Sequence, residues 1–202
     1  MKTYEKVMDV ADTPTVVFGR RAGTWWGTAA FIAIEATTLV VCVATYLYVR
    51  KNFHRWPPPP LRVPDLIRPT ISVLFLALTN IPNYWLHQKV RKLDKRGSQI
   101  GFLIMSVLIA IAVVLRIYDF RDINAHWDTN AYASAAWISL AFHSTLLALQ
   151  ALEVWVFTAL FWFGSLEGKH FSDADDNCFY WYFMSLVWIP MYMLLYWTPR
   201  LV

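Results

Sequence analysis

Five long apolar runs limit how this chain can fold more than any other feature of its sequence. The runs cover approximately residues 24–48, 70–86, 98–117, 132–163 and 179–197, and a helix that crosses a membrane needs about 20 mostly apolar residues. Inside a bilayer the backbone polar groups find no water, and a helix satisfies them within one segment. The sequence therefore predicts an all-α, polytopic membrane protein with five transmembrane helices.

The composition gives no sign of a second domain. The 202 residues are 57% hydrophobic and include only 7 glycines, and no linker, low-complexity tract or internal repeat divides them. We expect a single transmembrane domain over residues 1–202. A helix of about 30 residues, as the fourth run predicts, is longer than a hydrocarbon core of about 30 Å. The bundle is therefore expected to be tilted.

The basic residues fall in short segments at both ends of the predicted helices. Ten Lys and Arg residues lie on the side of the N-terminus and eight on the opposite side, and the segment KVRKLDKR contributes most to the excess. Because the cytoplasmic side of membrane proteins is richer in Lys and Arg, an N-in/C-out orientation is favoured. The basic residues form no continuous face, so we expect no nucleic-acid partner.

A carboxylic acid, Glu35, lies near the middle of the first run, TAAFIAIEATTLVVCVATYL. An ionisable group at that depth costs about 2.5–3.5 kcal/mol on insertion scales, so it normally faces the protein interior or a water path. Thr28, Thr38, Cys42 and Thr45 are separated from Glu35 by nearly whole helical turns. We therefore expect this face of the helix to point inward.

The fourth run also contains polar residues at membrane depth. His143, Gln150 and Glu153 form a polar stripe on the predicted helix. In one interpretation these side chains and Glu35 form interhelical hydrogen bonds, each of which contributes about 0.6 kcal/mol on average. In the other, Glu35, His143 and Glu153 take part in proton movement. The sequence leaves both interpretations open.

The second run contains a proline, Pro82, surrounded by Thr79, Asn80 and Asn83. Proline has no N–H to donate to the preceding turn, so a kink is expected there. The carbonyl groups that such a kink frees need other donors. We predict that the neighbouring hydroxyl and amide side chains supply them.

No complete site for a metal or a redox cofactor is visible. Of five histidines only His143 lies well inside a run, whereas a bis-His haem needs two facing histidines and a three-His copper site needs more. Cys42 and Cys178 show no metal-binding or haem-attachment spacing, and a disulfide between them is not expected. We predict that the chain has no metal, redox centre or catalytic residue of its own.

The last run contains an aromatic stripe. Trp181, Ser185, Trp188 and Tyr192 follow helical spacing. This pattern favours packing in the core or against another subunit, and contact with a lipid or a quinone is the second interpretation.

The order of short motifs along the chain resembles a known family. The segment TWWGTAAFIAIEATTLVVCVATYLYVR followed by RWPPPP is similar to the opening of heme-copper oxidase subunit III, where a helix with a mid-membrane Glu leads into a Trp-Pro-Pro loop. The likeness continues through RPTISVLFLALTN, IYDF, NAYAS, AFHS and FYWYFMSLVW, from about Gly23 onward. The residues that match family motifs are Trp26, Glu35, Trp56, Pro57, Pro58, Thr70, Tyr118, Asp119, Tyr132, Phe142, His143, Tyr180, Trp181 and Trp188.

The resemblance implies the short, five-helix bacterial form of subunit III, which lacks the first two helices of the seven-span form. A protein of this kind is a multi-pass, non-catalytic subunit of a terminal oxidase in the bacterial cytoplasmic (inner) membrane. It stabilises catalytic subunit I and supports proton uptake while oxygen is reduced to water in aerobic respiration. Haem and copper are then expected in the partner subunits, and phospholipids in a cleft between the first two and last three helices.

The resemblance also implies the partners. Subunit I is the main contact, with subunit II and, where one exists, a small subunit IV, and a supercomplex with a cytochrome c or quinol-oxidising complex is left open. The chain departs from the family at Leu146, where a second His is usual, and at Tyr182 and Ser185, which replace a His and an Asp. These differences remove polar partners from the interior of the bundle.

Two alternatives follow from these departures and from the buried charges. A divergent branch of the family includes the subunit III-like partners of quinol oxidases and of some nitric oxide reductases. A small proton-coupled transporter using Glu35, His143 and Glu153 belongs to a different class. Transporters are often built from repeated halves, and the odd number of predicted helices and the lack of a repeat favour the accessory subunit.

Overall fold

The computed structural model describes residues 16–201, and these residues form helices and no strand. The predicted all-α class is therefore confirmed. The helices are α1 (Gly23–Arg50), α2 (Ile67–Leu78), α3 (Asn80–Arg91), α4 (Lys95–Asp122), α5 (Ala131–Phe163), α6 (Gly168–Tyr192) and α7 (Thr198–Leu201). A 3₁₀ turn, Gly19–Arg21, precedes α1, and a π-helical turn, Met193–Trp197, joins α6 to α7.

Four helical segments of the described chain are long and apolar enough to cross a membrane. They are α1, α4, α5 and the continuous stretch Gly168–Leu201 that begins with α6. The prediction of a multi-pass membrane protein is thereby supported. The second predicted run is occupied by α2 and α3, which are 12 residues long each and so are individually shorter than a spanning helix.

A break at Thr79 separates α2 from α3, three residues before Pro82. Pro82 cannot donate to the carbonyl of Leu78, which lies four residues earlier. The Thr79 hydroxyl donates to the Leu76 carbonyl at 2.5 Å, and the Asn80 amide donates to the Ala77 carbonyl at 2.9 Å. The helix is therefore broken near Pro82 as predicted, and side chains donate to two carbonyl groups beside the break, although neither of these is the Leu78 carbonyl.

The inward face of α1 differs from the prediction at one position. Glu35, Leu39, Cys42 and Tyr46 are buried, whereas Thr45 is exposed. At about 100° per residue, Tyr46 lies within about 20° of Glu35 around the helix, and Thr45 lies about 80° away. The placement of Thr45 on the inward face was wrong, because a spacing of ten residues falls short of three full turns.

The last long helix begins earlier than the sequence predicted. Its N-terminus is Gly168, whereas the apolar run begins near residue 179. The extra turns contain Asp175, Asp176 and Asn177, and all three side chains are buried. Hydropathy placed the start of the run too late in the chain because it counts these residues as polar, although they are buried in the bundle.

Helices α5 and α6 lie at the centre of the packing. α1 contacts both of them, α4 packs against α2, α3 and α5, and α3 packs against α6. α3 and α4 pack closely at Gly101, where a Cβ atom would lie 2.6 Å from Leu86 Cδ1. A glycine at this position lets the two helices come together.

The N-terminus of α4 is fixed by Asp94 in the loop after α3. Its carboxylate accepts from the Gly97 N–H at 2.9 Å and from the Lys89 ammonium at 3.0 Å. The Gly97 N–H and then the Lys89 ammonium lower the pKa of Asp94 below its ordinary value. This N-cap holds the basic KVRKLDKR segment against the start of α4.

Candidate functional site

A polar cavity of about 240 Å³ lies between α1, α5 and α6. We refer to it as the carboxylate cavity. Its lining residues are Thr28, Phe31, Glu35, Leu149, Gln150, Glu153, Asp176, Asn177 and Tyr180. Of these nine residues, three are carboxylic acids and none is Lys, Arg or His.

Glu35 forms one side of the carboxylate cavity and is 3% exposed. The Tyr180 hydroxyl donates to Glu35 Oε2 at 2.6 Å, and Glu35 Oε1 has no partner among the described residues. The sequence singled out Glu35 and Tyr180 separately, and the structure joins them in one hydrogen bond. This bond links α1 to α6 at membrane depth.

Several other polar atoms around the cavity are buried without a protein partner. They are both side-chain polar atoms of Gln150, both carboxylate oxygens of Asp176 and Nδ2 of Asn177, as found within residues 16–201. Buried polar groups of this kind are usually satisfied by ordered water, and a cavity of this size has room for several water molecules. The arrangement can hold water or a polar group beside three carboxylic acids.

Glu35 and Glu153 lie at nearly the same depth. Each is nine residues inward from an exposed tryptophan, Trp26 on α1 and Trp162 on α5. Tryptophan favours the membrane interface, so both carboxyl groups lie about 14 Å inward from that level at 1.5 Å per residue. Glu153 is exposed on the side of the bundle, and it therefore marks the lateral mouth of the cavity.

Asp176 and Asn177 belong to the cavity but were missed from the sequence, because they precede the last apolar run. A signal was present. Phe171, Ala174 and Cys178, spaced three and four residues apart, are all buried and continue the inward face of α6 toward its N-terminus. The helical spacing of apolar residues therefore indicates a helix that begins earlier in the chain than hydropathy indicates.

His143 lies in a separate polar group, which we call the arginine cluster: Ser72, Arg116, Asp119, His143 and Trp188. His143 Nε2 donates to the Met184 carbonyl at 3.0 Å, and Nδ1 accepts from Arg116 Nη2 at 3.3 Å. These two contacts are those of a neutral imidazole. His143 is ten residues from Glu153 on α5, or about 15 Å along the axis, so the structure does not bring it to the carboxylate cavity.

Asp119 is the partner of Arg116 within the arginine cluster. Asp119 Oδ2 accepts from Arg116 Nη1 at 3.0 Å and from the Ser72 hydroxyl at 2.9 Å. The Arg116 guanidinium lies 3.8 Å from the centre of the Trp188 ring. The sequence identified Asp119 and Trp188 as motif residues but counted Arg116 among the loop charges, whereas Arg116 is only 4% exposed.

The Pro-rich loop is folded tightly against α1 and α5. Trp56 is 4% exposed, its Nε1 donates to the Tyr46 hydroxyl at 3.0 Å, and its ring meets Tyr132 edge to face at 4.6 Å. Pro57 and Pro58 are also buried. The motif therefore joins the loop to two helices.

The predicted aromatic stripe on α6 packs inside the bundle. Trp181 and Trp188 are 1% and 0% exposed, and Trp181 Nε1 donates to the Thr79 hydroxyl at 3.0 Å across the break between α2 and α3. The Tyr192 hydroxyl pairs with Thr70 Oγ1 at 2.5 Å. The interpretation as core packing is confirmed for these side chains.

Two motif residues lie at the surface. Trp26 is 60% exposed, and its Nε1 donates to the Arg20 carbonyl at 3.1 Å. Tyr118 is 39% exposed, and the guanidinium groups of Arg68 and Arg121 each lie 5.8 Å from its ring centre. Both residues are placed to contact lipid headgroups or a neighbouring chain.

The three residues that differ from the family motifs make different contacts. Leu146 is 6% exposed and packs in the core. The Ser185 hydroxyl donates to Asn80 Oδ1 at 2.9 Å, and the Tyr182 hydroxyl lies 3.4 Å from His87 Nδ1. Two of the three positions thus make polar contacts with α3.

A further ionic group, not identified from the sequence, ties α3 to α6. His87 Nε2 and Arg91 Nε each lie 2.6 Å from Asp175 Oδ1, and the Gly19 N–H donates to Asp175 Oδ2 at 3.3 Å. Asp175 is 1% exposed. It therefore binds the segment before α1 to the same end of the bundle as the basic loop.

No group of three or more His, Cys, Asp or Glu side chains suited to a metal ion is present within residues 16–201. Cys42 and Cys178 are both free and buried. The described residues thus define an all-α, multi-pass membrane protein whose helices are joined by buried hydrogen bonds and ion pairs.

The family follows from a comparison of the whole chain. The family model of cytochrome c oxidase subunit III matches residues 19–199, about nine tenths of the 202 residues. The chain belongs to the cytochrome c oxidase subunit III family, as the motif resemblance predicted, and members of this family are accessory subunits of heme-copper oxidases. No curated protein sequence matches the chain.

Proposed function

We propose that this chain is the non-catalytic subunit III of a bacterial heme-copper terminal oxidase of the cytochrome c oxidase type. In this role it stabilises catalytic subunit I and sustains proton uptake during the reduction of oxygen to water. The single observation that supports this proposal most strongly is the family match over residues 19–199. Haem and copper then belong to the partner subunits, and this chain contributes no catalytic residue.

The internal contacts suit a scaffold. Tyr180 with Glu35, Trp181 with Thr79, and Arg116 with Asp119 use buried polar groups to join helices. Side chains held in this way keep a fixed surface for a neighbouring subunit. The proton-related role rests on Glu35, Glu153 and Asp176 around the carboxylate cavity, where carboxyl groups and room for water occur together.

The proposed topology has five spans in one domain, with the N-terminus in the cytoplasm and the C-terminus outside. α2 and α3 together cover residues 67–91, and 25 residues of helix are about 37 Å long. That length is sufficient for a hydrocarbon core of about 30 Å despite the break. The basic segment after α3 is then cytoplasmic, and the protein lies in the inner membrane with bound phospholipids and with subunits I and II as neighbours.

A second candidate is a subunit III-like partner of a quinol oxidase or a nitric oxide reductase. The substitutions at Leu146, Tyr182 and Ser185 favour it, because they replace the polar groups usual in the family. A transporter relay through Glu35, Glu153 and His143 has less support. His143 lies on another part of α5. Its ring nitrogens are bonded to Arg116 of α4 and to the Met184 carbonyl of α6, and no hydrogen bond among the described residues joins it to the carboxylate cavity.

The proposal is tested by purifying a tagged chain from native membranes in mild detergent. We expect haem absorbance in the reduced-minus-oxidised spectrum of the purified material, together with oxygen consumption. The haem type and the preferred donor, cytochrome c or quinol, then separate the two candidates. Membranes from a strain that lacks the catalytic subunit are the control. A colourless protein from cells that make the oxidase would refute the proposal.

A further inference from the structure

Two exposed faces of the bundle differ in chemistry at membrane depth. On α4, every exposed residue between positions 100 and 117 is Ile, Leu or Val. On α5, by contrast, the exposed residues include the carboxylic acid Glu153. The first face is suited to lipid chains, whereas the second contains a group that lipid chains cannot solvate.

The mouth of the carboxylate cavity lies on this second face. Phe31 of α1 is 51% exposed and Leu149 of α5 is 55% exposed, and both line the cavity beside Glu153. Behind them lie Glu35 and Asp176, whose carboxylate oxygens include atoms without partners within residues 16–201. The cavity therefore opens sideways, and its interior presents unpaired acceptor oxygens together with the amide nitrogens of Gln150 and Asn177.

Charge and depth together indicate what covers it. None of the nine lining residues is a cation, and Glu153 is the carboxylic acid of the cavity that is exposed at the surface of the bundle, so a cation or hydrogen-bond donor that covers the mouth would pair with it. A lipid headgroup would have to sink about 14 Å from the interfacial tryptophans to reach Glu153, counting nine residues of helix. A side chain on a transmembrane helix of another protein reaches that depth without such a displacement.

We propose that the mouth of the carboxylate cavity, between α1 and α5, is the docking surface for the catalytic subunit of the oxidase. One of its transmembrane helices packs over the mouth and directs a hydrogen-bond-donating or cationic side chain at Glu153. This inference rests on the proposed function, because that function supplies the partner. It adds the location of the interface and the chemistry of the contact.

Photocrosslinking in intact membranes tests the location. Benzoylphenylalanine is placed at Phe31 or Leu149 on the rim, and at Val107 or Ile111 on the apolar face of α4 as matched controls. We expect adducts with the catalytic subunit from the rim positions and lipid adducts from α4. Lipid adducts alone from the rim, or subunit adducts from α4 instead, would overturn the inference.

Substitution of Glu153 tests the chemistry through the sign of its effect. On a lipid-facing surface, Glu153→Leu would remove a costly group and leave the yield of the complex equal or higher. On the proposed interface it leaves a buried donor of the partner without an acceptor, and we expect roughly tenfold less catalytic subunit to be retained. Glu153→Gln keeps an acceptor and should retain near-normal amounts.

The two proposals fail in different ways. If the unmodified chain retains no oxidase, the proposed function is wrong before any crosslink is formed. If the oxidase is retained but Glu153→Leu does not reduce its yield, the docking surface alone is wrong. If Glu153→Leu lowers the amount of folded chain, its yield of complex does not report on docking. The crosslinks then test the docking surface.

Discussion

The central carbon of the Arg116 guanidinium lies 3.8 Å from the centre of the Trp188 ring, while the same group donates to Asp119. A cation that is this deeply buried depends on both contacts, because the aromatic ring and the carboxylate replace the water that the charge has lost. The arginine cluster is therefore a set of mutually dependent side chains.

Substitution of Arg116 should be severely destabilising for this reason. Arg116→Met leaves Asp119 buried without its cation, and loss of one partner of a buried pair costs about 3–5 kcal/mol. Arg116→Met with Asp119→Leu removes both charges and should be closer to the unmodified protein. The stability of the single and the double variant is measured as the fraction of folded, monodisperse chain that remains after heating in detergent. A double variant no more stable than the single one would contradict this account.

Glu35 and Tyr180 should respond to substitution according to their hydrogen bond. Glu35→Gln keeps an acceptor for the Tyr180 hydroxyl, so assembly should remain largely intact, whereas Glu35→Leu leaves that hydroxyl unpaired at a cost of about 1–3 kcal/mol. The yield of intact complex and the turnover sustained over many cycles are the measurements. Unchanged values for both variants would show that Glu35 has no special role.

Tyr180→Phe distinguishes the contribution of the Tyr180 hydroxyl from that of its aromatic ring. The ring, which lies 5.9 Å from that of Phe31, is retained, while Glu35 loses its donor. If the carboxyl group supports proton uptake, sustained turnover should fall more than the yield of complex does. Equal losses in both would assign the bond to structure alone.

Trp56 should matter for docking more than for chemistry. Trp56→Ala removes a buried ring that contacts both Tyr46 and Tyr132, and large-to-small changes at aromatic positions cost about 3–5 kcal/mol. Trp56→Phe keeps an aromatic ring, loses the bond to the Tyr46 hydroxyl and leaves a smaller void, so it is the milder control. We expect the yield of complex to be lowest for Trp56→Ala, intermediate for Trp56→Phe and highest for the unmodified chain. The initial rate of electron transfer should be normal in the complex that assembles. A normal yield with slow electron transfer would argue against a role of Trp56 in docking.

Acid should release the N-cap of α4. The pKa of Asp94 is lowered in the folded chain by the Gly97 N–H and by Lys89, whereas an unfolded Asp has a pKa of about 3.9. The stabilisation is therefore complete above about pH 3.9 and decreases as the pH falls toward the folded pKa. Hydrogen exchange at the start of α4 should differ between the unmodified chain and Asp94→Ala near neutral pH, and the difference should shrink in acid. A difference that is independent of pH would exclude the carboxylate as its source.

The approximate positions of α1, α4 and α5 could be predicted from the sequence because apolar length is sufficient for that purpose. The exceptions are polar residues that helices bury in pairs. Arg116 was counted with the charges at the helix ends, and Asp175 and Asp176 were left outside the last apolar run, because hydropathy scores each residue alone. Their burial depends on His87, Arg91 and other groups that are distant in the sequence.

The carboxylate cavity was predictable in part. Glu35 and Glu153 stood out as charges inside apolar runs, and the structure brings them to one cavity. His143 stood out for the same reason, yet it lies elsewhere, because the spacing along α5 does not determine which neighbouring helix each side faces. That information comes from the packing of α5 against α1 on one side and α4 on the other.

The joint between α2 and α3 has a consequence for the order of membrane insertion. Asn83 donates to a carbonyl 95 positions later in the chain, and Asn80 accepts from a serine 105 positions later. During synthesis, the translocon therefore meets this segment long before its partners on α6 exist. Until α6 emerges, the Asn83 amide group and Asn80 Oδ1 lack these partners, so a ribosome stalled ahead of α6 should leave the segment accessible to water-soluble labels.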